Sequence, residues 1–222
     1  MKSKIVIASS LLFSLVIGSG CRKWLDVNQN PNVTTNVPIE MLLPSAQIAI
    51  ASAVGADLQV NGSLWAQQWT QAPSSSQYKI YEQYAPTANE YDREWSLLYS
   101  NALMDLEVME RKAREGNSLG NQAIAKLLKA YTFQVITDGW GDVPFSQALK
   151  GQNEDGGIIS PVYDSQESIY NGIHSMIDSA RLLIEAYNDA AVHPEILGDL
   201  IYAGDMEMWR KFANTLQLKA YL

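Results

Sequence analysis

Apolar positions recur at alternating three- and four-residue steps along most of the chain, the repeat of helices that turn one face to a core. Over 88–115 the stripe is Tyr91, Trp95, Leu98, Ala102, Leu106, Met109 and Ala113. Thr87 and Glu90 form a capping box at its start, and Gly116-Asn117 ends it. A partner helix is predicted over about 119–137, with Ile124, Leu127, Leu128, Tyr131 and Val135 on one face. A third spans about 165–188, capped by Asp164 and Glu167, with the stripe Ile169, Ile173, Met176, Ile177, Ala180, Leu183, Ile184 and Tyr187. Upstream, 39–55 and 58–71 read as two shorter helices, Pro44 lying in a first turn or at a kink. No segment alternates with a period of two for long. The expected class is mainly α, built from helix hairpins.

Long stretches between the helices, about 73–87, 138–164 and 189–205, carry ordering residues and read as functional loops. The last stretch, MEMWRKFANTLQLKAYL, puts Trp209, Phe212, Leu216 and Ala220 on one face and has no closing Gly or Pro. An apolar face of that size needs something to pack against, so the pattern predicts a fold that is truncated here.

The first twenty residues have a layout of their own. Lys2 and Lys4 precede an apolar run from Ile5 to Ile17, and Gly18-Ser19-Gly20 follows. That is the plan of an exported signal peptide, and the run is shorter than the ~20 apolar residues that cross a bilayer. Cys21, the only cysteine, comes next. Its position predicts a lipid attachment point, with acyl chains holding the mature chain to a membrane. The organisation expected is therefore a leader over 1–20, an extended tether over 21–37 and a helical domain over 38–222. One cysteine also excludes an intramolecular disulfide.

Charge adds one exclusion. The chain has 16 basic and 24 acidic residues, and loss of Lys2 and Lys4 leaves a net −10. An acidic balance argues against nucleic acid as a partner.

Candidate chemistry is sparse. In ITDGWGDVPFSQAL, residues 136–149, Gly139 and Gly141 suit turn conformations, while Trp140 and Phe145 can tuck against the helices. Asp138 and Asp142 read either as a carboxylate pair or as parts of a helix-terminating turn, and the turn is preferred. Two carboxylates fall short of a calcium loop's ligand count. His174 and His193 lack metal-ligand spacing, and no phosphate loop or nucleophile elbow is present. No catalytic residue, metal or cofactor is expected.

The segment WAQQWTQAPSSSQYKIYEQYAPTANEY interleaves rings with amides, the composition of a sugar-binding surface, where C–H faces stack on rings and amides take hydroxyl bonds. Trp65, Tyr91 and Trp95 fall on helical faces and are assigned to the core. Trp69, Tyr78 and Tyr81 are expected to form one wall of a ligand site. Otherwise this loop covers helix ends or packs on a protein partner.

Four stretches together, CRKWLDVNQNPN, the helix pair, DGWGDVPFSQAL and WRKFANTLQLKAYL, resemble the SusD/RagB family of nutrient-binding outer-membrane lipoproteins, in its SusD-like branch. The resemblance implies stacked helix pairs of tetratricopeptide type, which bury a continuous core only by stacking. It implies capture of oligosaccharides, or in some cases peptides, for a SusC-like TonB-dependent barrel transporter, by binding and not by catalysis. It also implies that this chain is the N-terminal part of a fold about twice as long. Arg22 and Lys23 follow the cysteine where surface-displayed members carry acidic residues, so either face of the outer membrane stays open. Two other classes are a scaffold lipoprotein whose helix pairs hold a protein partner with no small ligand, and a hydrolase using Asp138 and Asp142.

Overall fold

Each predicted stripe becomes a helix, although the first helix is longer than its periodicity indicates. The computed structural model describes residues 37–87, 89–151 and 157–222. The leader, Cys21 and the tether as far as residue 36 lie outside the described residues. Pro38–Leu222 forms one compact unit.

Helix α1 runs Ile39–Trp65 without interruption, where two helices are expected. A wider π-helical turn over Val54–Leu58 takes up the change of register. Asn61 and Leu64 then continue the inward face. Pro44 lies inside α1 and has no N–H for the Glu40 carbonyl. Gly198, at φ +77°, packs on that carbonyl; a Cβ there would come within 2.5 Å of it. A single turn, α2, spans Lys79–Glu82. Helix α3 covers residues 92–115 and widens over Leu97–Leu103. It starts later than expected because Thr87 does not cap it. The Thr87 hydroxyl donates to the Glu90 carboxylate at 3.3 Å.

Helix α4 is Leu119–Trp140, α5 is Gln166–Asp189 and α6 is Met206–Tyr221. Between α3 and α4, Asn117 takes the left-handed conformation at φ +50°. A two-residue strand β1, Val143–Pro144, pairs antiparallel with β2, Tyr163–Asp164. The cap of α5 is Ser165, whose hydroxyl accepts from the Ser168 N–H, and not Asp164 as the sequence suggests. Asp164 is drawn away because it accepts from the Phe145 and Ser146 N–H groups and the Ser146 hydroxyl. Those three bonds outweigh the effect of burial and hold its pKa below the ordinary value.

The helices stack in chain order. α1 packs on α3, α3 on α4, α4 on α5 and α5 on α6, and α4 also touches α6. α4 lies at the centre and is buried on several sides, from Ala123, Ile124 and Leu127 to Phe133 and Ile136. Ile169, Ile173, Ile177 and Ile184 of α5 are fully buried, each contributing about 1.5–3 kcal/mol by leaving water. Between α3 and α4, the nearly buried Glu110 meets Lys126 at 2.9 Å and Lys129 at 3.1 Å. Burial alone would raise its pKa, but the two lysines prevail and lower it. The mainly α stack of hairpins is therefore borne out.

The stretch between α5 and α6 is organised by one carboxylate. Asp199 is buried and accepts from Gln47 Nε2 of α1 at 2.8 Å and Trp209 Nε1 of α6 at 2.8 Å. It also accepts from the Ile201 and Gly204 N–H groups at 3.0 and 2.9 Å. Gln47 Oε1 in turn accepts the Leu200 N–H at 2.7 Å. Burial would raise the Asp199 pKa, but the donors, led by Gln47, outweigh it and lower it below the ordinary 3.8.

Asp199→Ala leaves the Gln47 and Trp209 donors buried and unpaired, so we expect a loss of about 3 kcal/mol or more in urea melts. Because the folded pKa is lowered, this stability is complete above the ordinary carboxylate pKa and fades as pH falls through the folded value. The gap between parent and variant should thus narrow in melts taken at successively lower pH. A gap that is constant with pH would show that the carboxylate charge contributes nothing.

Candidate functional site

The segment from 66 to 91 leaves α1 through Gln67, at φ +58°, and is ordered by side chains that bond to its own backbone. The Glu82 carboxylate accepts the Gln71 N–H at 2.7 Å and the Thr70 hydroxyl at 3.2 Å. Gln71 Oε1 accepts the Tyr78 N–H at 3.0 Å and the Ser75 hydroxyl at 2.9 Å. Trp65 Nε1 donates to the Tyr81 carbonyl at 2.9 Å, and its ring stacks on Tyr84 with centroids 6.2 Å apart. Tyr84 sits at φ +53°. A bulky side chain rarely adopts that region, and such strain persists only where surrounding contacts impose it.

These contacts divide the three rings expected to form one wall. Trp69 is 50% exposed and lies with Tyr84, 62% exposed, in a cleft of about 310 Å³ that Gln67, Thr70 and Glu82 also line. Tyr81 is instead 7% exposed. Its hydroxyl donates to the Glu90 carboxylate at 2.6 Å, and burial together with that carboxylate pushes its pKa up. The sequence places Tyr81 in an open loop; the helical turn α2 rotates it inward, beneath the surface it was expected to form. Tyr78 is half-buried, 6.1 Å from the Tyr81 ring. Tyr84, omitted from the expected wall, is the more exposed ring; its spacing from Tyr81 gave no signal of this, because its backbone at φ +53° turns it outward.

The DGWGD turn uses both carboxylates for anchorage. Gly139 is still helical, and Gly141 turns the chain at φ +76°, ψ −123°. The Thr137 hydroxyl donates to the Gly141 carbonyl at 2.7 Å. Asp138 accepts the Tyr170 hydroxyl at 2.6 Å, and Asp142 accepts the Gln166 N–H at 2.9 Å. Each therefore ties the end of α4 to the start of α5. Phe145 packs edge-on to Phe133 at 4.8 Å. His174 Nδ1 lies 3.0 Å from Gln217 Nε2, and His193 packs on Tyr187. Among the described residues, no group of three or more His, Cys, Asp or Glu side chains is placed to hold a metal.

Where α1, α3 and this turn meet, three clefts share aromatic walls. The first, about 180 Å³, is lined by Leu58, Asn61, Trp65, Tyr91 and Trp140. Tyr91 and Trp140 also line the second, about 260 Å³, with Trp95 and Tyr163. Trp95 and Tyr163 continue into the third, about 480 Å³, with Tyr99 and Pro161. Trp140 stands edge-on to Tyr91 at 6.1 Å and to Trp95 at 5.6 Å. Trp65, assigned to the core from its periodicity, is 40% exposed because α1 ends beside it. Tyr91 and Trp95 are half-buried.

The polar groups beneath this furrow are incompletely paired. Asn61 is 3% exposed and lies against the Tyr81 and Tyr91 hydroxyls, although none of these contacts to its amide or to the Tyr91 hydroxyl reaches full hydrogen-bonding geometry. Each such buried group costs about 1–3 kcal/mol. Glu94 is fully buried nearby, and burial with the neighbouring Asp57 carboxyl pushes its pKa up.

Residues 31–222 match the family model described as SusD-like, starch-binding and associating with the outer membrane. No curated protein is significantly similar. Among solved structures, a SusD/RagB family protein from Bacteroides thetaiotaomicron is similar at 23% identity and TM-score 0.67, over 82% of this chain and 37% of its own. A SusD homologue from Bacteroides fragilis is similar at 29% identity and TM-score 0.59, over 83% and 35%. A chitin-binding SusD homologue from Flavobacterium johnsoniae is similar at 21% identity and TM-score 0.62, over 82% and 38%. The chain thus spans little more than a third of the length of these structures.

A Cβ on Gly141 would meet nothing within 4 Å, so Gly141→Ala isolates the backbone strain of the turn. The expected loss is about 1–3 kcal/mol in denaturant melts, with the helical circular dichroism unchanged. An unaltered midpoint would mean that the turn relaxes freely.

Proposed function

Since the family model covers residues 31–222, the chain belongs to the SusD-like family, and from that premise we propose that it is a lipid-anchored outer-membrane protein that captures glycans for a SusC-like TonB-dependent transporter. The family match is the observation that carries this reading. The rings of the 66–91 loop support it, because Trp69 and Tyr84 present apolar faces beside Gln67, Thr70 and Glu82. Aromatic faces with adjacent amides, hydroxyls and carboxylates suit a sugar ring. Tyr78 extends this wall from its half-buried position, and Tyr81 supports it from below. The protein acts by binding. Cys21 is the site of acylation and the tether leads from it to the helical domain.

A second reading, a scaffold lipoprotein with a protein partner, draws on a different surface. An apolar groove of about 530 Å³ lies between α1, α4, α6 and the segment around Leu200, lined by Ile48, Val54, Tyr131, Ile201 and Phe212.

Growth with labelled palmitate should mark the parent chain and leave Cys21→Ala unlabelled; equal labelling of both would remove the anchor. Calorimetry of the chain against maltoheptaose, chitopentaose and a mixed tryptic peptide pool tests the ligand. Trp69→Ala should weaken glycan binding at least tenfold, since stacking on one ring contributes about 1.4 kcal/mol or more. Unchanged affinity in the folded variant would take Trp69 out of the site. Failure of every glycan to bind would leave the scaffold reading.

A further inference from the structure

Glu94, in the first turn of α3, is a fully buried acid that lines none of the clefts described above. Its Oε1 accepts from Arg93 Nη1 at 3.2 Å, and the same Nη1 donates to Asp57 Oδ2 at 3.2 Å. Asp57 belongs to the π-helical turn of α1. Two carboxyls from different helices therefore meet at one guanidinium nitrogen. Arg93 is exposed and its charge is weakened by water. One positive charge against two carboxylates would leave a negative charge uncompensated, and on a buried group that is costly.

The second oxygen of Glu94 indicates what offsets that cost. Oε2 is buried and accepts no fully formed hydrogen bond, while the Asp57 carboxyl lies within bonding reach of the Glu94 side chain. Ionised carboxylates only accept, so two of them cannot bond each other; a protonated carboxyl donates. One proton on Glu94 turns the facing acceptors into an O–H···O pair and removes the uncompensated charge from the interior. Asp57 is partly exposed, so a proton can come and go where no larger ligand could enter. The other groups facing Glu94 are Arg93 and the Tyr91 hydroxyl. Glu90, a turn earlier, is bonded to the Tyr81 hydroxyl. The charged residues of α4, namely Lys126, Lys129 and Asp138, are engaged with Glu110 and Tyr170.

We propose that Glu94 and Asp57 share one proton and so act as a pH-sensitive latch between α3 and the π-helical turn of α1. With the proton in place the two helices are bonded across the pair. When it leaves, two adjacent negative charges repel, and one of them is buried. The part of α1 that follows the π-helical turn then loosens. Trp65 goes with it, and Trp65 holds the 66–91 segment through the Tyr81 carbonyl. Turns of this wider kind within helices often mark functional positions.

The test uses the full chain, with the Glu94 carboxyl resonance assigned through its own backbone and followed through a pH series. Glu94 should titrate above the ordinary carboxyl range, and Asp57→Asn, at a partly exposed position, should lower its midpoint. An ordinary midpoint, or one that Asp57→Asn leaves in place, would overturn the shared proton. Burial and Asp57 raise the folded pKa of Glu94, so the parent loses stability as pH climbs from the ordinary carboxyl value through the folded one. Glu94→Gln keeps an N–H donor for Asp57 at every pH. Its stability relative to the parent in urea melts should therefore rise with pH over that window, and a constant gap would count against the pair. Protection of the 57–65 amides from hydrogen exchange should fall across the Glu94 midpoint in the parent and hold steady in Glu94→Gln. Protection in the parent that ignores the midpoint would overturn the latch. Should Glu94→Gln fail to fold, the parent and Asp57→Asn titrations still decide.

Discussion

The Asp199 carboxylate is the point on which the arrangement of the first and last helices depends. It takes the Gln47 amide from α1 and the Trp209 indole from α6, and turns the intervening backbone around itself through Ile201 and Gly204. Gln47 and Asp199 stand 152 residues apart in sequence. Apolar packing is non-directional and would tolerate several ways of laying α6 against the stack. A buried carboxylate needs particular donors in particular places, so it selects one. Gly198 reinforces that choice, because it fits against the Glu40 carbonyl left free by Pro44, where a Cβ would collide.

The second constraint is the central position of α4. It must approach α3, α5 and α6, and its alanines at 123, 125 and 130 keep those approaches close. Its two lysines, Lys126 and Lys129, enclose Glu110 of α3 at one edge, while Asp138 at its far end holds Tyr170 of α5. The hairpin is thereby held by apolar burial on its inner faces and by an ion-pair network at its rim. Since the helices carry the stability, the 66–91 segment and the turn after α4 are free to hold conformations such as Tyr84 at positive φ.

Both candidate surfaces arise at helix ends. Trp65 closes α1 and Trp140 closes α4, so each ring is packed on one side and open on the other. The stack supplies rigid walls, and the loops supply polar groups between them. This division suits a protein that binds, because a pre-formed wall loses little freedom when a ligand arrives.

The amino-acid sequence by itself determined the helices, their order and the family, because a 3.6-residue repeat of apolar positions has one efficient way to bury itself. It also identified the DGWGD segment as a turn packed by Trp140 and Phe145, since Gly141 and the flanking rings are local signals. Tertiary structure decided what periodicity cannot encode. It joined two predicted helices through the π-helical turn at Val54–Leu58, moved the α5 cap from Asp164 to Ser165, turned Tyr81 inward and left Trp65 and Tyr84 outward. It brought Asn61 under Trp140 and Gln47 onto Asp199. The reason is range: helix formation reads neighbours three and four positions away, whereas these contacts join residues tens of positions apart and exist only once the helices have stacked.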